Sequence, residues 1–173
     1  MNDAQLVSEL QYLGIDPRNA GVVALLPLVQ VAWVDGAVQA AERSAIVAFG
    51  EREDLDGASM KVLEGWLNEA PSELYHHRGR GVIRELAMRN VGVDSGVTPE
   101  KVDAIVEYCS TVASCAGGLF GVLFTVSEAE RRLLTQITED LYVPTRGGWA
   151  DLLGELKTSQ PAPERPMSSP ASA

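Results

Sequence analysis

Apolar residues recur at spacings of three and four along most of the chain, which is the pattern of amphipathic α-helices. The clearest helix follows Thr98 and Pro99, which suit the N-cap and the first helical position. Its apolar stripe comprises Val102, Ile105, Val106, Cys109, Val112, Ala113 and Ala116. No segment shows convincing strand alternation. The pattern therefore predicts an all-α fold of about seven to eight helices.

Further helices are predicted on both sides of this one. Ser127 and Glu130 form an S-x-x-E capping box, and the helix that follows buries Ala129, Leu133, Leu134, Ile137 and Leu141. Residues 21–34 are apolar on all sides, which predicts a central helix that Pro27 either kinks or begins. Shorter helices are predicted over residues 3–12, 40–51, 59–68, 72–77, 82–89 and 149–156.

A helix–loop–helix pattern occurs twice. In VQAAERSAIVAF and VSEAERRLLTQI, the residues that match are Val38, Ala41, Glu42 and Arg43 in the first copy and Val126, Ala129, Glu130 and Arg131 in the second. The apolar positions after them coincide as well, and an apolar helix containing Val-Ala precedes each copy. A repeated unit of this kind indicates two related halves.

The first copy, VAWVDGAVQAAERSAI, resembles the signature of the TerB-like family, which includes the tellurite-resistance protein B and the N-terminal domain of DnaJ-like membrane co-chaperones. The second copy, VASCAGGLFGVLFTVSEAERRLL, is a looser match, and the resemblance covers most of residues 20–142. It implies an all-α fold in two similar halves and an acidic surface associated with cation binding. It also implies a role in stress-response or membrane-linked assemblies, and no known catalytic activity.

The segment Asp35–Gly36…Glu42 allows two interpretations. In the first, Gly36 ends one helix with a positive φ and Glu42 caps the first turn of the next. In the second, Asp35 and Glu42 hold a divalent cation weakly, together with Glu130 of the other copy. A full EF-hand is excluded because Val31 and Trp33 stand where calcium requires oxygen ligands.

The second copy departs from the first at one position of this segment. Ala116 stands where the first copy has Asp35, so one acidic ligand is missing. We therefore do not expect a metal site with twofold symmetry.

The charge of the chain limits its partners. It has 24 acidic and 14 basic residues and a net charge of -10, which argues against binding nucleic acid or anionic lipid. Cys109 and Cys115 lie too far apart along a helix for a disulfide, so we expect two buried thiols. The N-terminus lacks the pattern of a secretory signal, and we expect a cytoplasmic protein.

Two charged clusters are candidate surfaces. The first cluster is basic and follows the adjacent histidines His76 and His77; its members are Arg78, Arg80 and Arg84. We expect these residues to form a basic patch on a surface loop, suited to an acidic partner or to another copy of the chain. The acidic cluster is expected in a loop that faces water, with a cation or a basic partner as the alternative; its members are Glu51, Glu53, Asp54 and Asp56.

Residues 117–124 form an apolar, glycine-rich loop that contains Leu119, Phe120 and Phe124. It either folds into the core or presents a patch to a protein partner or a bilayer. Residues 158–173 are rich in proline and serine, which predicts a disordered tail after a helical domain of residues 1–157.

The leading functional hypothesis is a non-catalytic, cytoplasmic interaction module of a stress-response or assembly system, with a protein partner and a weakly bound divalent cation. The alternative is a membrane-associated adaptor that docks through the loop of residues 117–124. A metal-dependent hydrolase is the third and least favoured hypothesis, because the sequence around the candidate nucleophiles and histidines does not resemble a catalytic motif.

Overall fold

A computed structural model describes residues 1–89, 97–116 and 127–142, which lie within one compact unit. Their structure is all-helical, as the apolar periodicity predicts, and these residues contain no strand. Seven α-helices occur among them. They are α1 (Asp3–Tyr12), α2 (Leu26–Ala32), α3 (Ala40–Arg52), α4 (Gly57–Asn68), α5 (Glu73–Arg89), α6 (Pro99–Ala116) and α7 (Glu128–Leu141), and a 3₁₀ segment (Pro17–Leu25) precedes α2.

Helix α2 is the centre of the fold, and every one of its residues is buried. It packs against α3, α4, α5, α6 and α7, while α1 packs against α5 and the 3₁₀ segment. Of the two roles considered for Pro27, the structure shows the second, because Pro27 lies in the first turn of α2. Its missing N–H has no helical partner at that position and costs nothing there.

Side-chain caps fix where several helices begin. Asn2, Asp56 and Ser127 accept hydrogen bonds from the backbone N–H groups of the first turns of α1, α4 and α7, respectively. Gly36 has a φ of 86° in the turn after α2, as expected for a glycine that ends a helical segment. The helices predicted from residues 3, 40 and 59 and after Thr98 and Ser127 begin within two residues of the expected positions. The central helix predicted over residues 21–34 is shorter, because the chain is a 3₁₀ segment up to Leu25 and α-helical over Leu26–Ala32.

Helix α5 corrects the sequence prediction of two short helices and a loop. The segment LYHHRGRG is helical throughout and joins both parts into one helix. Gly79 allows α5 to approach α2 closely, because a Cβ atom at this position would lie 2.2 Å from Cδ2 of Leu26. Gly79, which lies in the segment predicted as a loop, is thus part of a close contact between two helices.

Several sequence predictions fall on parts of the chain that the structure does not describe. They are the apolar loop of residues 117–124 with Leu119, Phe120 and Phe124, the helix of residues 149–156 and the tail of residues 158–173. The side chain of Ala116 is also outside the description. The two cysteines are free; Cys109 is buried as expected, but Cys115 is only partly buried.

Candidate functional site

The two repeat-related glutamates close the same kind of helix cap. The carboxylate of Glu42 accepts a hydrogen bond from the backbone N–H of Gln39 at 2.7 Å, and that of Glu130 accepts one from Ser127 at 2.5 Å. Both side chains are buried. The structural role assigned to Glu42 and Glu130 from the sequence is confirmed, and their burial was not foreseen.

Two of the predicted cation ligands, Glu130 and Asp35, lie within electrostatic reach of the third, Glu42. Burial raises the pKa of Glu42, the hydrogen bond from Gln39 opposes that rise, and the negative charges of Glu130 and Asp35 add to it. Asp35 itself is exposed. Within residues 1–89, 97–116 and 127–142, no three His, Cys, Asp or Glu side chains are grouped so that they could hold a metal ion. The side chains as placed therefore do not form a ligand cage.

Arg80 is not part of an exposed basic patch, which corrects the sequence prediction. It is 2% exposed because it lies on the side of α5 that faces α2 and α7. Its Nε donates to Oδ2 of Asp140 at 2.8 Å, and its Nη1 donates to Oε1 of Gln30. A buried charge of this kind needs such partners. Arg80 therefore links three helices inside the fold.

Arg78 lies nearer the surface but is engaged with α1. Its guanidinium carbon is 3.9 Å from the centroid of the Tyr12 ring, and its Nη1 is 3.5 Å from a carboxylate oxygen of Glu9. Of the three arginines in the predicted patch, Arg84 is exposed. The basic surface is thus smaller than the sequence suggested.

Part of the acidic cluster has structural partners. Glu53 forms ion pairs with Lys101 and Arg52, and Asp56 caps α4 by accepting from the backbone N–H of Ser59 at 2.7 Å. Asp54 has a φ of 52°, in the left-handed region. The cluster accordingly connects α3 to α4 and, through Lys101, to α6.

A cleft of about 480 Å³ opens between the end of α2, the start of α5 and one side of α7. Trp33, Val34 and Leu133 contribute to its apolar wall. Its polar lining consists of Gln30, Glu73, His76, Arg132 and Gln136. Pockets of this size with apolar walls and a few polar groups are typical of ligand sites.

His76 forms part of the cleft wall, although the sequence placed it in a surface loop. It is 3% exposed, and its Nδ1 is buried without a hydrogen-bond partner. Burial, together with a smaller effect of the positive charge of Arg80, lowers the pKa of His76 to about 4. The imidazole is therefore neutral at pH 7.

Gln30 connects the cleft to the buried arginine. Its Oε1 accepts from Arg80, and its Nε2 lies 3.3 and 3.5 Å from the two carboxylate oxygens of Glu73. The sequence did hold a signal for this residue, because Gln30 is a polar residue within the apolar run of residues 20–34. A polar side chain at the centre of an apolar helix must find partners in the fold.

The chain has no match among family models, curated proteins or solved structures. In the part of the chain that the structure describes, no helix is both long and apolar enough to cross a bilayer.

Proposed function

We propose that this chain is a non-catalytic helical interaction module that binds its partner through the cleft between α2, α5 and α7. The observation that carries this proposal is the cleft itself, about 480 Å³ in volume, beside a helix that is otherwise fully enclosed. Apolar walls supply contact area, and a small number of polar groups can orient what is bound. In this role the helices form a rigid frame and the cleft supplies specificity.

The proposal includes the TerB-like class and a cytoplasmic role in a stress-response or assembly system. It is supported by the repeated arrangement of an apolar helix followed by a capped helix, with Glu42 and Glu130 in equivalent positions. The proposed partner is a protein. Membrane docking through residues 117–124 stays a separate prediction, because those residues lie outside the description.

A weakly bound divalent cation is a second element of the proposal. It is supported by the burial of Glu42 beside the negative charges of Glu130 and Asp35, an arrangement that a cation would stabilise. Since the three carboxylates do not form a cage, we propose that Asp35 holds the cation with water molecules between the ion and the two glutamates.

The cleft proposal can be tested by comparing two neighbouring substitutions on α7. Gln136 lines the cleft and is exposed, so Gln136→Trp should fill the cleft without entering the core. Thr135 is exposed and does not line the cleft, which makes Thr135→Trp the matched control.

Each tagged full-length variant is expressed in the source cells, and the proteins that co-purify are quantified. A partner of the cleft is lost with Gln136→Trp and retained with Thr135→Trp. Equal recovery of all co-purifying proteins by both variants would show that the cleft is not the binding surface.

A further inference from the structure

Two buried nitrogen atoms behind the cleft have no hydrogen-bond partner. They are Nδ1 of His76, which lines the cleft, and Nη2 of Arg80, which lies 3.9 Å from a carboxylate oxygen of Glu73. A guanidinium nitrogen can only donate, and Nδ1 of a neutral imidazole donates in one of its two tautomers. Unsatisfied buried donors are costly, so this pair favours a ligand that accepts hydrogen bonds.

The carboxylate of Glu73 lies near these donors, but at distances longer than those of good hydrogen bonds. Glu73 has a side chain that is 73% exposed, and its oxygens lie 3.3 and 3.5 Å from Nε2 of Gln30. These separations, and the 3.9 Å between Nη2 of Arg80 and Oε1 of Glu73, all exceed the usual N···O distance of about 2.7–3.2 Å in an N–H···O bond. Glu73 therefore shows where a carboxylate can stand without satisfying the donors around it.

We infer that the cleft binds the carboxylate of a ligand with an apolar body, which displaces Glu73 and accepts hydrogen bonds from Gln30, His76 and Arg80. This inference rests on the proposed function and names the ligand chemistry of the same cleft. The apolar body lies against Trp33 and Leu133.

A cationic ligand fits the same atoms poorly. An ammonium group at this position would lie beside the buried guanidinium of Arg80 and would leave Nη2 without an acceptor. Asp140 does not offset the positive charge of an added ammonium group, because its carboxylate is paired with Arg80, from whose Nε its Oδ2 accepts a hydrogen bond at 2.8 Å. Charge and hydrogen bonding thus both favour a negatively charged ligand that accepts hydrogen bonds.

The carboxylate has two sources, a free small carboxylic acid or the C-terminus of a peptide. Octanoate represents the first and is compared with octanamide, which has the same body without the charge. The acetylated tetrapeptide Ala-Ala-Ala-Leu with a free C-terminus represents the second and is compared with its C-terminal amide. Binding to the full chain at pH 7 is measured by calorimetry and by the NMR shifts of the His76 imidazole.

At least one acid should bind and shift the His76 resonances, and its amide should bind about tenfold more weakly or worse. Binding of octanoate alone assigns the cleft to a small acid, and binding of the peptide alone assigns it to a chain terminus. If neither acid binds, or if each amide binds as well as its acid, the inference is wrong.

Two substitutions give effects of opposite sign. Glu73→Gln removes the competing carboxylate and should strengthen binding of the acid, whereas Glu64→Gln makes the same charge change on the exposed side of α4 and should have little effect. His76→Phe should weaken binding about tenfold, and the exposed His77→Phe should not. A loss of acid binding in Glu73→Gln would show that Glu73 supports the bound ligand and does not compete with it, which would overturn the inference.

The two proposals can fail separately. If Gln136→Trp removes a partner but no acid binds, the cleft is a binding surface for a different chemistry. If His76→Phe does not fold, Glu73→Gln and the acid–amide comparison still decide the outcome, because both use a chain whose buried residues are unchanged.

Discussion

The carboxylates of Glu42 and Glu130 close equivalent caps on α3 and α7 and lie near enough that the charge of Glu130 raises the pKa of Glu42. Each glutamate makes a local hydrogen bond, yet together they place negative charge inside the fold. The glutamates that cap the helices therefore also destabilise the folded state electrostatically, and a bound proton or cation would reduce this destabilisation.

A divalent cation should stabilise the wild-type protein if it occupies this acidic region. Millimolar Ca²⁺, Mg²⁺ or Mn²⁺ should raise the melting temperature by about 2–4 °C, the shift expected from about 1 kcal/mol of binding free energy. Asp35→Asn should abolish the shift, and Glu64→Gln on α4 should retain it. The melting temperatures are measured by calorimetry or fluorimetry. If the cation raises the melting temperature of wild type and of Asp35→Asn equally, Asp35 takes no part in binding it.

The raised pKa of Glu42 predicts how stability depends on pH. The folded state holds the proton of Glu42 more tightly than the unfolded state, so this group lowers the free energy of unfolding as the pH rises above 4.5. Glu42→Gln keeps a side chain that can accept at the cap and removes the charge. It should therefore be at least as stable as wild type at pH 7 and should lose that advantage near pH 4.

Urea unfolding at intervals between pH 4 and pH 7 measures this difference. Glu42→Ala is the control, since it removes the same charge and the cap as well, and it should be about 0.5–2 kcal/mol less stable than Glu42→Gln at every pH. Subtracting the wild-type profile removes the contributions of carboxyls with lowered pKa values, such as Asp56 and Glu85. A constant difference between wild type and Glu42→Gln across this range would contradict the raised pKa.

The caps and the helices could be predicted because their causes are local. Ser127, Glu130 and Pro99 act within one turn of the chain, and the apolar period of α6 is visible without its neighbours. The burial of Glu42 and Glu130 could not be read from the sequence in the same way, because it depends on how α3 and α7 pack against the rest of the fold.

The cleft could not be predicted because its residues come from distant parts of the chain. Arg80 is buried only because Gln30 of α2 and Asp140 of α7 supply partners for its guanidinium. Read alone, the histidines, arginines and glycines around it are typical of an exposed loop. Long-range packing overrode that local preference, as it does for many weak helix formers.

His76 provides a test of this buried environment that is independent of any ligand. Because its pKa is lowered to about 4, the imidazole should show no titration step between pH 6 and pH 8 in NMR spectra of the folded protein. The unfolded state gains the proton first, near pH 6.5, so this residue contributes stability that decreases as the pH falls from 6.5 toward 4.

The full contribution of His76 to this pH dependence is on the order of 3 kcal/mol, because its pKa falls from 6.5 to about 4 and each pKa unit corresponds to about 1.4 kcal/mol. Chemical denaturation of wild type and His76→Gln at pH 7 and pH 5 measures the part of this contribution that falls between these pH values, with His77→Gln as the exposed control. A titration step of His76 close to pH 6.5 would show that its side chain reaches water and that the wall of the cleft is open.

The contact between α5 and α2 should depend on Gly79 and not on Gly81. A Cβ atom at Gly79 would lie 2.2 Å from Cδ2 of Leu26, and Leu26 is buried and has little room to move. Gly79→Ala should therefore destabilise the protein by about 1–3 kcal/mol, the usual cost of overpacking. A Cβ atom at Gly81 meets nothing within 4 Å. Gly81→Ala should stabilise by about 0.5–1 kcal/mol through helix propensity.

Both glycines lie in the same helix, so unfolding of the two variants in urea separates packing from propensity. The expected result is an opposite sign for the two substitutions, with unchanged helical content in both. If Gly79→Ala stabilises the protein, the two helices lie farther apart than is implied by the 2.2 Å between a Cβ atom at Gly79 and Cδ2 of Leu26. The contact of Arg80, one residue later on α5, with Gln30 on α2 depends on the same approach of the two helices.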